Sequence, residues 1–186
     1  MKPQELIKRH LNDIQKPSRY IGGEFGSVVK DASAVDIRYA FCFPDLYDIG
    51  MSHLGMKILY HLLNERQDTW CERVFAPDTD MEALMRRYSM PLYGLESKDP
   101  IRDFDFIGFT LQYELCYTNI LNMLDLAGVP LLSEERDDSY PVVMCGGPCA
   151  CNPSALADYV DLFFIGDGEE YFPVLLDLYK SCAGKS

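Results

Sequence analysis

The chain has 186 residues, 48% of them hydrophobic and 25% charged, which suits one globular domain with a full core and excludes a disordered chain. Its formal net charge of −12 excludes a nucleic-acid footprint, because phosphate binding rests on clustered Lys and Arg, and Arg86-Arg87 and Lys8-Arg9 are too small to form one. No apolar run approaches the ~18 residues of a membrane span, the N-terminus begins no signal peptide, and seven cysteines in mostly apolar settings fit reduced thiols, so a cytoplasmic protein with no membrane partner is expected.

Residues 4–13 read as a short amphipathic helix with Leu6, Ile7 and Leu11 on one side, stopped by Pro17. The glycine and aromatic mix of residues 20–29 predicts a hairpin, so residues 1–34 are expected to form a small appendage of helix and hairpin. The main domain, residues 35–181, opens with a strand over 36–43 that ends at Pro44. Ser52 then starts a helix to about Arg66, with Leu54, Ile58, Leu59, Leu62 and Leu63 at helical spacing. A strand over 72–76 leads to a helix that Asp78, Thr79 or Asp80 caps, with Met81, Leu84, Met85 and Tyr88 on its apolar face.

Residues 91–94 read as a brief strand, and residues 105–111 as the central one. The helix after it runs over 114–127 with Tyr117, Ile120, Leu121 and Leu124 as its core stripe; Gly128 and Pro130 stop it. Two apolar runs, Val142-Val143-Met144-Cys145-Gly146-Gly147 and Asp161-Leu162-Phe163-Phe164-Ile165-Gly166, each stop at glycines, as buried parallel strands do when they deliver backbone to a ligand crevice. A short crossover at 152–157 joins them, and residues 169–181 make a final helix. The sequence stops soon after, at residues 182–186, an end that is either natural or a cut at a domain boundary. Strands alternating with helices across short connections predict an α/β fold with a doubly wound parallel sheet.

In such a sheet ligands sit beyond the carboxyl ends of the strands, here the loops at 44–51, 76–79, 111–114, 146–152 and 166–169. The first loop is longer than a plain turn needs, and Gly50 or Ser52 can present a helix N-terminus to an anion, unless Ser52 only caps the helix. His53, Lys57 and His61 share one polar face through i, i+4 steps; the outer two stand roughly 12 Å apart at ~1.5 Å per residue, so the set reads as a solvated face rather than a metal site. Thr110 and Gln112 offer hydrogen bonds where a central strand meets its helix, and Glu114 suits that helix's N-terminus.

Cys145, Cys149 and Cys151 lie close in sequence, yet their spacing is neither a C-x-x-C pair nor a C-x-x-x-C-x-x-C triad, so buried or incidental thiols are expected. Gly146 and Gly147 let a flat ligand or a phosphate approach the backbone. Gly166 and Gly168 form a tight turn around Asp167, with Asp167 or Glu169 free to meet a ligand or a following domain. No Ser/His/Asp triad, Walker loop, H-E-x-x-H or G-x-G-x-x-G is present.

These residues in this order resemble a known family. The Ile107-Gly108-Phe109-Thr110-Leu111 strand, the Val142-to-Pro148 strand end and Phe164-Ile165-Gly166-Asp167-Gly168-Glu169-Glu170 resemble the cobalamin-binding-like, flavodoxin-like domain that precedes the barrel in many radical S-adenosylmethionine (SAM) proteins. Tyr20-Ile21-Gly22-Gly23-Glu24, Met51-Ser52-His53-Leu54-Gly55, Arg73-Val74-Phe75-Ala76-Pro77 and Leu111-Gln112-Tyr113-Glu114-Leu115 extend the resemblance to an uncharacterised bacterial radical SAM subfamily, over nearly all of residues 18–176. The resemblance implies a downstream barrel whose C-x-x-x-C-x-x-C triad holds the four-iron cluster that cleaves S-adenosylmethionine. That triad is absent from this sequence, so this chain is expected to be an accessory domain whose partners are that barrel and an unknown substrate.

The resemblance also implies cobalamin. Relatives that ligate cobalt through a histidine carry D-x-H-x-x-G in the first strand–helix loop. Here Asp45 and Asp48 have no histidine two residues on, and Met51 stands where the aspartate before His53 belongs. Thr110, Leu111, Gln112, Gly146 and Gly147 match the nucleotide-tail contacts, and with Ser52, Gly166 and Gly168 they form the expected cofactor-binding set, without histidine ligation. Two other readings stay open: a degenerate domain that has lost its ligand and docks the barrel or substrate, and a metal or redox site using Cys149, Cys151 and Cys145 or Cys116. A phosphorelay receiver is disfavoured, because the strand ending at Cys145 lacks the lysine such a domain needs.

Overall fold

The computed structural model describes residues 2–183, so the final residues of the C-terminal end, 184–186, lie outside the described residues. The first helix, α1 (Pro3–Arg9), has proline in its first turn, Glu5 at its positive end and Lys8 and Arg9 at its negative end. It buries Leu6 and Ile7, whereas Leu11 lies past the helix end and is exposed. A short helix α2 (Ser18–Ile21) follows. The expected hairpin at residues 20–29 is absent: Gly22, Gly23 and Gly26 take positive φ and interrupt any extended run. The backbone there bonds to side chains of the main domain instead, with Val28 N–H donating to the Tyr60 hydroxyl and the Trp70 indole donating to the Val28 carbonyl.

Five strands form one sheet: β1 (Ile37–Phe43), β2 (Thr69–Phe75), β3 (Phe106–Thr110), β4 (Val142–Gly146) and β5 (Leu162–Phe163). All pairings are parallel, in the order β2-β1-β3-β4-β5, with β3 central as the sequence predicts. This is the flavodoxin-like, doubly wound order, in which the connections change direction between β1 and β3 and open a crevice there.

Between β1 and β2 lie a single turn, α3 (Tyr47–Gly50), and the helix α4 (Leu54–Glu65). Helix α5 (Thr79–Arg87) is capped by the Asp78 carboxylate, which accepts from Thr79 N–H. The segment after β3 starts as a 3-10 turn, Glu114–Cys116, before α6 (Tyr117–Ala127), which Gly128 ends in the left-handed conformation. The crossover to β5 is two 3-10 turns, Pro148–Cys151 and Pro153–Ala155, and α7 (Gly168–Ala183) closes the fold.

The sheet is packed on both faces. Met56, Tyr60 and Leu63 of α4 and Phe172 and Leu176 of α7 cover one face with Tyr39, Phe41 and Met144. Helices α5 and α6 cover the other with Ala40, Cys42, Ile107 and Cys145, and Leu6, Ile7, Ile14 and Tyr20 of the N-terminal segment join that core. At the amino end of the sheet Lys180 of α7 bonds to Asp36 and Asp68, and Arg66 to Asp68 and Asp177, which fixes α7 against β2.

Residues 91–94, expected as a strand, make only an isolated antiparallel bridge between Tyr93 and Pro100. They begin a segment that covers the edge of β2, where an open row of backbone groups would otherwise invite pairing with another chain. Leu95 N–H donates to the Arg73 carbonyl, the Glu96 carboxylate accepts from Arg73 N–H, and Glu72 accepts from Ser97 N–H. Every residue of β2 is buried as a result.

Candidate functional site

A cleft of ≈ 210 Å³ opens at the carboxyl end of the sheet, between the N-terminal ends of α4 and α7, on the face that carries Tyr39, Phe41 and Met144. It exists because the strands run out of side chains there. Side chains on one face of a strand recur every second residue, so β3 presents Phe106, Gly108 and Thr110 to this face and β4 presents Met144 and then Gly146. Leu59 and Phe172 wall the space, and Gln112, Asp167 and Glu169 stand at its polar side.

Thr110, Gln112, Gly146, Gly147, Gly166 and Gly168 all line this cleft. Gly146 is the open one: a Cβ there would find nothing nearer than the Phe164 carbonyl at 3.9 Å. Gly147 serves the backbone instead. At φ +102° it lets the turn pass so close to β3 that a Cβ would lie 3.0 Å from the Leu111 carbonyl oxygen and 3.1 Å from its nitrogen. Gly168 allows α7 to approach α4, since a Cβ would meet Leu59 at 3.1 Å. The Thr110 hydroxyl accepts from the Gln112 amide at 2.6 Å, which leaves its own proton free to donate.

Leu111 and Ser52 do not line the cleft. Leu111 is fully buried in the core of the opposite face, with its N–H on the Gly146 carbonyl and its carbonyl on Cys149 N–H. Ser52 is exposed and its hydroxyl donates to the Asp48 carbonyl, because α4 begins at Leu54, later than the spacing predicts. His53 takes the capping position: its Nδ1 accepts from Met56 N–H at 3.1 Å, and its ring packs 5.4 Å from Phe43. His53 therefore lines the cleft rather than a solvated face, while His61 is exposed and pairs with Glu65 at 3.2 Å. Replacing His53 by Ala is expected to cost about 1 kcal/mol, the usual value of a lost N-cap. Urea unfolding measures it, and a loss below about 0.3 kcal/mol would mean that water caps the helix equally well.

The long loop after β1 is held structurally. Asp48 pairs with Arg19 at 2.6 Å, Tyr113 donates to Asp45, and Asn119 donates to the Pro44 carbonyl at 2.9 Å. Gly50 lies against Phe75, where a Cβ would be 2.4 Å from the ring. Glu114 is exposed and opens the 3-10 turn.

The cysteines form no metal-ligand set among the described residues. Cys145 points into the core on the face opposite the cleft, Cys116 donates to the Tyr113 carbonyl, and Cys151 is exposed. Burial pushes the thiols of Cys145, Cys116 and Cys149 up, so they stay protonated at neutral pH and are poor ligands and nucleophiles. Among the described residues no three His, Cys, Asp or Glu side chains stand together as metal ligands. Nor is any helix among them long and apolar enough to cross a membrane.

A parallel sheet in this order opens a crevice at its switch point, and here glycines line that crevice. The chain belongs to the family described as radical SAM proteins, N-terminal, whose model matches residues 55–186. It is also similar to Uncharacterized protein MJ0966 of Methanocaldococcus jannaschii, with 26% identity over 132 residues. That match takes in 70% of this chain but only 24% of the relative, so the chain spans about a quarter of that protein's length. No solved structure matches the chain.

Proposed function

We propose that this chain is the accessory N-terminal domain of a radical SAM enzyme, and that its cleft binds cobalamin or a related ligand at the β1/β3 switch point. The observation that carries the reading is Gly146, whose missing side chain leaves open space beside a Thr110 hydroxyl with a free proton. At ≈ 210 Å³ the cleft is smaller than the roughly 300–1,000 Å³ of pockets that enclose a whole drug-sized ligand. A space of this size would take a flat substituent rather than the whole of a larger cofactor. Thr110, Gln112 and the backbone of Gly146 would hold that substituent.

His53 does not supply a metal bond in this arrangement. With Nδ1 accepting from Met56 N–H, the neutral ring carries its proton on Nε2 and offers a donor, not a lone pair. Cobalamin would supply the cobalt chemistry, and this domain's residues supply binding and orientation. S-adenosylmethionine cleavage on a four-iron cluster belongs, in this reading, to a barrel elsewhere in the parent protein. A second reading, a docking module without a ligand, draws on Ile49, Leu115 and Ile165, which are exposed on the loops at this same end of the sheet.

Titrating the full-length protein with hydroxocobalamin, followed by visible spectrum and calorimetry, tests the proposal. Saturable micromolar binding is expected. Gly146→Leu should weaken it about tenfold or more, with the melting temperature unchanged, because the added side chain fills the cleft and not the core. No binding at high micromolar concentration would sink the cofactor reading and leave the docking surface.

A further inference from the structure

Helix α7 has two unlike flanks. Phe172 and Leu176 face the sheet, and the flank that carries Asp177 and Lys180 turns to the end of α4 and to β2. There Asp177 bonds to Arg66 at 2.6 Å and Lys180 to Asp68 at 2.8 Å. The opposite flank is Tyr171, Val174, Leu175, Leu178 and Cys182, recurring at helical spacing without a charge among them. Val174 is 66% exposed, Leu178 is 60% exposed, and Cys182 is exposed as well. The solvent side of a surface helix ordinarily carries polar residues, so an apolar flank that continues over three turns marks a surface left for a partner.

The sheet beside this flank is open too. Tyr171 stacks at 3.8 Å on Phe164, just past β5, and a groove of ≈ 440 Å³ separates Tyr179 and Cys182 of α7 from Val142 and Asp161. The β2 edge is sealed by residues 95–97, whereas β5 is paired by β4 alone. We propose that this flank of α7 and the β5 edge form the docking surface for the catalytic domain of the parent radical SAM protein, which meets it with an apolar ridge bordered by basic side chains. This assignment rests on the reading of the chain as an accessory domain, and not on cobalamin. Two observations select that occupant. The chain spans about a quarter of its relative's length, so in a protein of that size most of the polypeptide is tethered to this domain at high effective concentration. The exposed charges at the ends of the flank are acidic, Glu169 and Glu170 where α7 starts and Asp137 and Asp138 at the groove, while Arg136 and Lys180 are held by Asp161 and by Asp36 and Asp68. A second copy docked here about a two-fold axis would set acid against acid, each copy carrying a net charge of −12.

Cys182 reports on the flank in the full-length protein. Its alkylation by iodoacetamide, followed by mass spectrometry of the peptides, should be at least about tenfold slower in the native protein than in urea. Val174→Glu and Leu178→Glu each place a charge where the catalytic domain would cover it, and each should return Cys182 to within about threefold of its rate in urea. Both side chains lie outside the core, and Cys71, buried under the sheet, should stay unreactive in both variants if the domain remains folded. A native rate equal to that in urea, or protection that survives both substitutions, overturns the proposal. Protection that fades on dilution while the sedimenting mass halves overturns it as well and assigns the flank to a second copy. Iron content and cleavage of S-adenosylmethionine are measured on the same protein after reconstitution with iron and sulfide. If both are present while Cys182 reacts freely, the docking surface alone falls; if both are absent, the accessory-domain reading falls with it.

Discussion

Arg73→Met is expected to cost about 3–5 kcal/mol at neutral pH, the usual penalty for stranding one partner of a buried ion pair. At this chain length that corresponds to a melting temperature lower by roughly 10 °C. Arg73 lies on the edge strand β2 and is 7% exposed. Its guanidinium bonds to Glu96 at 2.7 Å, to the Ser27 hydroxyl at 2.7 Å and to Glu24 at 3.2 Å, and sits 4.6 Å from the Tyr60 ring centroid. It therefore ties the N-terminal segment and the edge-covering segment to the sheet through one charge. Methionine fills much of the volume but leaves the Glu96 carboxylate buried without its ion-pair partner.

The sign of the pH dependence follows from Glu96. Burial raises its pKa, with Arg73 opposing the rise. A carboxyl whose folded pKa is raised favours the fold when protonated, and that contribution is lost as pH climbs from the unfolded pKa through the folded one. Removing Arg73 raises the folded value further, so the penalty of Arg73→Met should shrink as the pH is lowered from about 7.5 to about 5. Adding Glu96→Gln should recover part of it at neutral pH. Urea unfolding at the two pH values decides: a penalty below about 1 kcal/mol, or one that does not change with pH, would mean that water reaches Glu96 and the pair behaves as a surface bridge.

The sheet was legible because its strands are punctuated. Pro44, Gly146 and Gly166 end or follow apolar runs, and Gly128 ends α6 in the left-handed conformation that the sequence position implies. The segment at 91–94 misled because Leu92 and Tyr93 are apolar and buried without being paired in the sheet; an edge cover and a strand have the same local composition. The cap was missed for a related reason: Ser52 is the better capping residue by type, and only the observed start of α4 at Leu54 gives the role to His53.

The candidate site divides in the same way. Glycines at strand ends declare themselves, since removing a side chain at a fixed place serves turns and close approaches. The floor of the cleft does not. In a strand whose residues from Tyr39 to Phe43 are all apolar or aromatic and buried, nothing in the period-two pattern says which face stays open. The signal that could have pointed to Tyr39 lies on another strand, in Gly108, a glycine in the middle of a buried β-run where no turn needs it.

Gly108→Ala should therefore be among the costly changes a single methyl group can make, about 3 kcal/mol, at the upper end of what overpacking costs. The new Cβ would stand 1.8 Å from the Tyr39 hydroxyl and 2.5 Å from Cζ. The phenol cannot step aside, being confined by Phe41, Phe106 and Phe172 on the sheet face. Gly146→Ala adds the same methyl group one strand away with 3.9 Å of clearance and should stay within about 0.5 kcal/mol of the parent. Combining Gly108→Ala with Tyr39→Leu should be less costly than the sum of the two by about 2 kcal/mol, because the second change removes the atoms the first collides with. Urea unfolding of the four variants gives both numbers. If the double variant is additive, the methyl group is absorbed by backbone movement of β3, and the cleft floor is softer than the packing of Tyr39 on Gly108 implies. Coupling of the expected size would instead tie the glycine of one strand to the phenol of another as a single packing unit, in which one strand gives up a side chain to seat the ring of its neighbour.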